Sequence, residues 1–281
     1  MTQRQATGLQ IVILMIAVLI VGEATDRYVF RQWAAAREHG IPVGRISTFL
    51  VAAAILFGVP SLRQRCVILL SVPVPRGGRK DAAIALLLMV TTAYACLGAL
   101  ALWWWSTGGE PSLARRMNEF LARDPWESAL STKGILTTFL LGGIFAPILE
   151  ELIFRGFLYP AWESTRGWVA SAFGTSIVFA LIHPFVVPQF FVSLLLVSLF
   201  RKTGSLRVCI AVHALFNISL WHPFLGQLLL PAGRETGEIS HWTTHLACLA
   251  VIIVAIPIYM WTARDANAVR PGALSPATPS F

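Results

Sequence analysis

The sequence has few charged residues and no clustered cysteines. Only 13% of its 281 residues are charged, whereas 56% are hydrophobic. A soluble domain carries about 25% charged residues, so this composition excludes an ordinary water-soluble enzyme. It also excludes intrinsic disorder, which requires low hydrophobicity and high charge. The cysteines stand singly in apolar stretches, with no CxxC pair, which predicts small buried hydrophobic residues rather than a disulfide framework: Cys66, Cys96, Cys209 and Cys248.

Long apolar segments dominate the chain, with a mean hydropathy of +0.68. A bilayer core of about 30 Å needs roughly 20 helical residues per span. We therefore predict an all-α, polytopic membrane protein with about eight transmembrane helices. The first span could be a cleaved signal peptide, but no convincing small-residue cleavage site follows it, which favours a retained helix. The predicted spans are 8–22, 46–62, 82–105, 133–160, 168–183, 185–200, 205–221 and 244–262.

Two further segments complete the predicted organisation. Residues 111–126 read as an amphipathic helix, either a connector resting on the membrane surface or a lid that guides substrate. The Pro-rich tail after Arg264 is predicted to be disordered. The predicted units are N-terminal helices with the amphipathic segment (1–132), a catalytic core (133–222), a loop with the last span (223–264) and the tail (265–281).

The net charge of +8 comes from 22 Lys and Arg against 14 Asp and Glu. In a membrane protein such a bias reflects basic cytoplasmic loops and anionic lipid. The bilayer is therefore an expected partner and nucleic acid is not. The distribution of basic residues between alternate loops favours cytoplasmic termini.

Ionisable side chains occur inside three of the predicted spans. A charge at the bilayer centre is costly and needs a reason. A lone intramembrane histidine is often an interhelical hydrogen-bond partner, but the coincidence on three spans favours one shared site. The residues are Glu150, Glu151 and Arg155 on the fourth span, His183 on the fifth, and His213 with Asn217 on the seventh.

Helical spacing divides these residues into roles. Glu151 precedes Arg155 by four residues, the favourable order for an ion pair along one helix face. Glu150 is rotated about 100° from Glu151 and faces something else. His213 and Asn217 also share one helix face, one turn apart. Phe179 and His183, also four residues apart, share one face of the fifth span.

Hydrolysis of a peptide bond needs such groups. A carboxylate in apolar surroundings can act as general base for a water molecule, and an imidazole can share that water or its proton. A second imidazole and a carboxamide can donate hydrogen bonds to an oxyanion. The same side chains could instead bind a zinc ion, with Glu150, His183 and His213 as its ligands. Asn217 is a poor zinc ligand and fits the oxyanion role under either scheme.

The sequence lacks the motifs of other peptidase classes. The sequence has no HExxH motif and no GxSxG motif, and no Asp lies inside any of the predicted spans. These absences exclude the usual helical zinc-peptidase motif, a serine nucleophile elbow and an aspartyl dyad.

The three polar segments resemble the motifs of the CAAX protease and bacteriocin-processing (CPBP, or Abi) intramembrane protease family. Residues 150–156, EELIFRG, match its EExxxR motif. Residues 179–183, FALIH, match FxxxH, and residues 213–217, HALFN, match HxxxN. The three motifs occur along the chain in the same order as in the family, and the resemblance covers residues 133–222.

The resemblance implies an eight-helix membrane endopeptidase with an intramembrane catalytic cavity. Carried over by position, Glu150 activates water, His183 assists it, and His213 and Asn217 stabilise the oxyanion. The family is often called a metalloprotease, but a metal-free glutamate mechanism is also proposed for it. We favour the metal-free reading and keep zinc as the alternative cofactor. The residues implied to support the site are Glu151, Arg155 and Phe179.

The implied substrate is a membrane-associated or lipid-modified peptide or protein. Eukaryotic members act on prenylated C-terminal peptides, and bacterial-looking members would cleave bacteriocin leaders, membrane-anchored regulators or sorting tails. We expect a multi-pass protein of a bacterial plasma membrane. The competing hypothesis is a non-catalytic membrane protein, a transporter or an immunity-type binding protein, although we find none of the internal repeats typical of transporters.

Overall fold

A computed structural model describes residues 16–18, 20, 22, 43–122, 139–183, 185–221 and 237–264 of the chain. Several sequence predictions therefore fall outside the described residues. They are most of the first span at 8–22, the start of the fourth span, the end of the amphipathic segment at 123–126, the loop at 222–236 and the tail at 265–281.

The described residues are helical throughout, apart from short connections, which confirms the all-α prediction. Residues 139–166 form one helical run, α5, in which π-helical and α-helical turns alternate as Phe139–Phe145, Ala146–Glu151, Leu152–Leu158 and Tyr159–Arg166. The other helices are α1 (Val43–Gly58), α2 (Pro60–Ser71), α3 (Gly78–Ser106), α4 (Gly109–Ala122), α6 (Trp168–Leu181), α7 (Val186–Thr203), α8 (Leu206–Trp221) and α9 (Thr243–Ala263).

Within the described residues, three helices are long and apolar enough to cross a membrane: Gly78–Ser106, Val186–Thr203 and Ile239–Thr262. The bent pair α1 and α2 makes a fourth if it counts as one span. Eight spans are therefore not confirmed. The predicted fifth and seventh spans are the apolar helices α6 and α8, of 14 and 16 residues. At 1.5 Å per residue, α6 is about 21 Å long, shorter than a hydrocarbon core of about 30 Å.

The predicted second span at 46–62 is wrong as one continuous helix. Helix α1 ends at Gly58, and α2 begins at Pro60 with a bend of 93° between them. A proline inside a helix removes one hydrogen bond and clashes with the preceding turn, whereas it is well tolerated in a first turn. Pro60 therefore starts a new helix instead of continuing α1.

Helix α3 organises the bundle, since α7, α8 and α9 all pack against it. Helix α8 also contacts α5, and α6 packs against α7 and the last turns of α5. Positive-φ glycines at Gly167 and Gly204 form the tight connections that bring α6 back against α5 and α8 back against α7. These packings place the three motif-bearing helices side by side.

The amphipathic helix is present as α4. Its buried residues Leu113 and Met117 pack with Ala101 of α3 and with Trp242. An exposed ion pair, Arg115 with Glu119 at 3.4 Å, lies on the opposite face. The apolar stripe therefore anchors α4 on the end of the bundle opposite the connection between α7 and α8.

Candidate active site

The structure brings the ionisable residues of three helices into one cluster. Glu150 and Glu151 lie where the α-helical turn of α5 passes into its second π-helical segment. His183 lies two residues after the end of α6, and His213 lies in the middle of α8. π-Helical turns in helices occur frequently at functional sites. Here they flank the glutamate pair on both sides.

Glu151 is the centre of a fully buried network. Its Oε1 atom accepts a hydrogen bond from Arg155 Nη1 at 2.9 Å and another from His213 Nδ1 at 2.9 Å. Arg155 Nη2 donates to the backbone oxygen and the hydroxyl of Ser193 on α7, at 3.0 and 2.9 Å. Glu151 and Arg155 are both 0% exposed. This network ties α5, α7 and α8 together and holds the His213 ring in one orientation.

Glu150 lies apart from that network, as its different helix face requires. Its Oε1 atom is 3.8 Å from His183 Nε2, and its Oε2 atom is 3.7 Å from His213 Nε2. Both separations are too long for a direct hydrogen bond. Among the described residues, the buried Oε2 atom has no hydrogen-bond partner. The side chains of Glu150 and His183 are 12% and 18% exposed, so the carboxylate is accessible but largely desolvated.

The tautomers of both histidines follow from their other contacts. His183 Nδ1 lies 2.6 Å from the backbone oxygen of Phe179. Because a carbonyl oxygen only accepts, Nδ1 of His183 carries a proton. His213 Nδ1 likewise donates to Glu151, which already accepts from Arg155. In the neutral imidazoles, both Nε2 atoms therefore present a lone pair toward Glu150.

Phe179 supports the site by packing. Its ring stacks on that of His183 at 4.4 Å between centroids, and the Arg155 guanidinium lies 5.0 Å from its centroid. Phe154 contacts the same ring edge to face at 5.1 Å. A cation held over an aromatic face is favourable, more so when both are desolvated. Phe179 thus links the Glu151–Arg155 pair to His183.

Asn217 is placed differently from the other predicted site residues. Its Nδ2 atom donates a hydrogen bond to the backbone oxygen of Gly142 at 2.9 Å. Gly142 belongs to the first π-helical segment of α5, and Asn217 is half-buried. Asn217 therefore connects α8 to α5, and one of its two amide hydrogens stays available for another acceptor.

Sequence reasoning missed Ser193. It is fully buried in α7 and binds the guanidinium of Arg155 through two oxygens. A search for ionisable residues inside apolar segments passes over a serine. The signal was a polar residue in the middle of the apolar run FFVSLLLVSLF.

The residues present fit zinc by type, though not by arrangement. A carboxylate and two imidazoles are a known catalytic ligand set, and metal-bound imidazoles usually donate their other N–H to a carboxylate or carbonyl, as both histidines do. Zinc, however, needs its ligand atoms about 2.0–2.2 Å from one point. In the part of the chain that the structure describes, no three His, Cys, Asp or Glu side chains form a group that could hold a metal ion.

Fold and site together define an integral membrane protein of apolar helices that encloses carboxylates, imidazoles and a guanidinium. Residues 132–219 match the family described as Type II CAAX prenyl endopeptidase Rce1-like. The matched segment contains all three motifs, which confirms the resemblance of this part of the chain to the CAAX protease family. No curated protein and no solved structure matches the chain.

Proposed function

We propose that the protein is an intramembrane endopeptidase that hydrolyses a peptide bond of a membrane-associated or lipid-modified substrate. One observation carries the proposal: the desolvated carboxylate of Glu150 faces Nε2 of His183 and of His213 at 3.8 and 3.7 Å. A polar separation above about 3.5 Å is one that a water molecule can bridge. The family's name, a prenyl endopeptidase, supports the reaction class and the substrate class.

In the proposed reaction, Glu150 is the general base. A water molecule between Glu150 and His183 gives its proton to the carboxylate while its oxygen attacks the carbonyl carbon of the substrate. His183 Nε2 accepts the second hydrogen bond of that water and so orients it. Glu150 then returns the proton to the leaving amine, the peptide C–N bond breaks, and the carboxylate is restored.

His213 and Asn217 are proposed to stabilise the oxyanion. His213 donates from Nε2 only as an imidazolium, since its Nδ1 proton is directed at Glu151. Asn217 contributes the amide hydrogen that Gly142 does not accept. Each oxyanion donor in a desolvated site is worth about 3–4 kcal/mol of transition-state stabilisation.

Zinc is the alternative cofactor that the residue types allow, and Glu150, His183 and His213 are the side chains that would bind it. Purified protein is expected to hold less than stoichiometric zinc, and its cleavage activity is expected to survive a chelator such as 1,10-phenanthroline. Elemental analysis before and after chelation, with activity measured on the same samples, checks this. Stoichiometric zinc lost together with activity would overturn the metal-free assignment.

The substrate and reaction can be tested before any cleavage site has been identified. The full chain in lipid nanodiscs is incubated with membrane peptides from cells that lack it, and new peptide termini are identified by mass spectrometry. We expect a small set of new termini close to apolar or lipidated segments. Identical termini with and without the protein would count against peptidase activity and favour a binding role for the polar cluster.

The location is also proposed: a plasma membrane, bacterial in origin, with the termini in the cytoplasm. Basic residues concentrate where α7 ends and α3 and α8 begin, including Arg79, Arg201, Lys202 and Arg207. Lys and Arg are enriched in cytoplasmic loops, so this end of the bundle is proposed to face the cytoplasm.

A further inference from the structure

A groove of about 380 Å³ lies between the first turn of α3 and the outer face of α8, and none of the candidate active-site residues lines it. Its lining is apolar apart from two arginines, Arg79 and Arg207. Ala211 and Leu215 line it along α8 and are exposed. The groove therefore combines an open apolar channel with a strongly basic rim.

The two arginines occupy positions that helices disfavour for positive charge. Arg79 is the second residue of α3, and Arg207 is the second residue of α8. A helix N-terminus carries a partial positive charge, so a basic side chain there is unfavourable and an anion is favourable. An anion bound between them would offset both the guanidinium charges and the two helix ends.

No carboxylate neutralises this rim within the described part of the chain. Helix α8 has no acidic residue in its first turn, and Asp81 is the one in the first turn of α3. Asp81 is paired with Lys202 Nζ at 2.6 Å. Glu163, another acid at this end of the bundle, is paired with Arg201.

Arg207 is also held in place. Its Nη2 atom donates to the backbone oxygen of Val72, after the end of α2, at 2.6 Å. A guanidinium has five N–H donors, so most of them remain for a ligand. A fixed arginine beside a second one suits a phosphate group, which both can bind.

We propose that this groove binds an anionic phospholipid, with the headgroup phosphate between Arg79 and Arg207 and an acyl chain along Ala211 and Leu215. A lipid is favoured over a free phosphate because the floor of the groove is apolar and α3 is long and apolar enough to span a membrane.

Native mass spectrometry of the full chain, titrated with dioleoylphosphatidylglycerol or dioleoylphosphatidylcholine, tests the proposal. Two arginines near a membrane surface favour the anionic lipid by roughly tenfold or more in affinity. The Arg79→Gln/Arg207→Gln protein is expected to bind both lipids almost equally. Arg166→Gln is the control. It removes an exposed charge at the same end of the bundle, where the Arg166 guanidinium lies over the Trp162 ring outside the groove. This variant is expected to keep the preference for phosphatidylglycerol.

A second variant tests the groove itself. Ala211→Phe fills the channel and leaves both arginines in place, and it is expected to lose the tight phosphatidylglycerol site. If this variant unfolds at the same temperature and still prefers phosphatidylglycerol as strongly, the groove is not the binding site. The preference would then come only from the basic surface. Equal binding of the two lipids by the unmodified protein would overturn the proposal, whatever the variants do.

Discussion

Glu150→Gln is expected to lower kcat for the identified peptide by about a thousandfold, with KM within about threefold, as removal of a general base does. Glutamine has the same size and still forms hydrogen bonds, but its amide cannot take a proton from water. The expected loss corresponds to about 4 kcal/mol of transition-state stabilisation. Initial rates of the full chain in nanodiscs, on a synthetic peptide that contains the cleavage site, measure it.

The fold should survive this substitution. Glu150 has no hydrogen bond at Oε2 within the described residues and lies beyond hydrogen-bond distance of both imidazoles. Its replacement by glutamine is therefore expected to change the free energy of unfolding by less than about 1 kcal/mol, as substitutions outside buried networks usually do.

Glu119→Gln is the matched control. It makes the same chemical change at an exposed glutamate of α4, in a surface pair worth about 0–1 kcal/mol. Full activity is expected for it. Normal cleavage by the Glu150→Gln protein would remove Glu150 from the chemistry and leave the cluster as a ligand-binding or structural feature.

Hydropathy predicted the long helices well because length and apolar composition are local properties. The predicted spans 82–105 and 244–262 correspond to α3 and α9 within a few residues. The same method ran through the bend between Gly58 and Pro60, because the segment stays apolar on both sides. A sliding average cannot detect one proline, although the rule that proline disrupts helix interiors could have located the break.

Helical spacing predicted the pair of Glu151 with Arg155 and the separate direction of Glu150, since both depend on one helix alone. It could not predict that His213 would donate to Glu151, a contact between residues 62 positions apart. The bond from Asn217 to Gly142 likewise depends on how α8 packs against a π-helical turn. Such contacts follow from tertiary packing, which one sequence does not reveal.

Arg155→Met is expected to lower the free energy of unfolding by about 3–5 kcal/mol, since breaking a buried ion pair leaves an uncompensated charge. Arg155 is 0% exposed. Its loss leaves the equally buried Glu151 without its ion-pair partner, and the two oxygens of Ser193 without the donor that they have in the native protein. Unfolding in mixed detergent micelles measures the change. We expect activity to fall as well, because Glu151 then no longer holds His213 in a fixed position.

A double variant separates the cost of the unpaired Glu151 charge from the cost of the packing that Arg155→Met removes. In Glu151→Gln/Arg155→Met the buried charge is gone, so we expect at least half of the lost stability to return while cleavage stays low. Arg115→Met breaks an exposed pair with the same four-residue spacing, Arg115 with Glu119, and is expected to cost less than about 1 kcal/mol. If the single Arg155→Met protein were as stable as Arg115→Met, the Glu151–Arg155 pair would not brace the site, and another contact would have to hold His213 near Glu150.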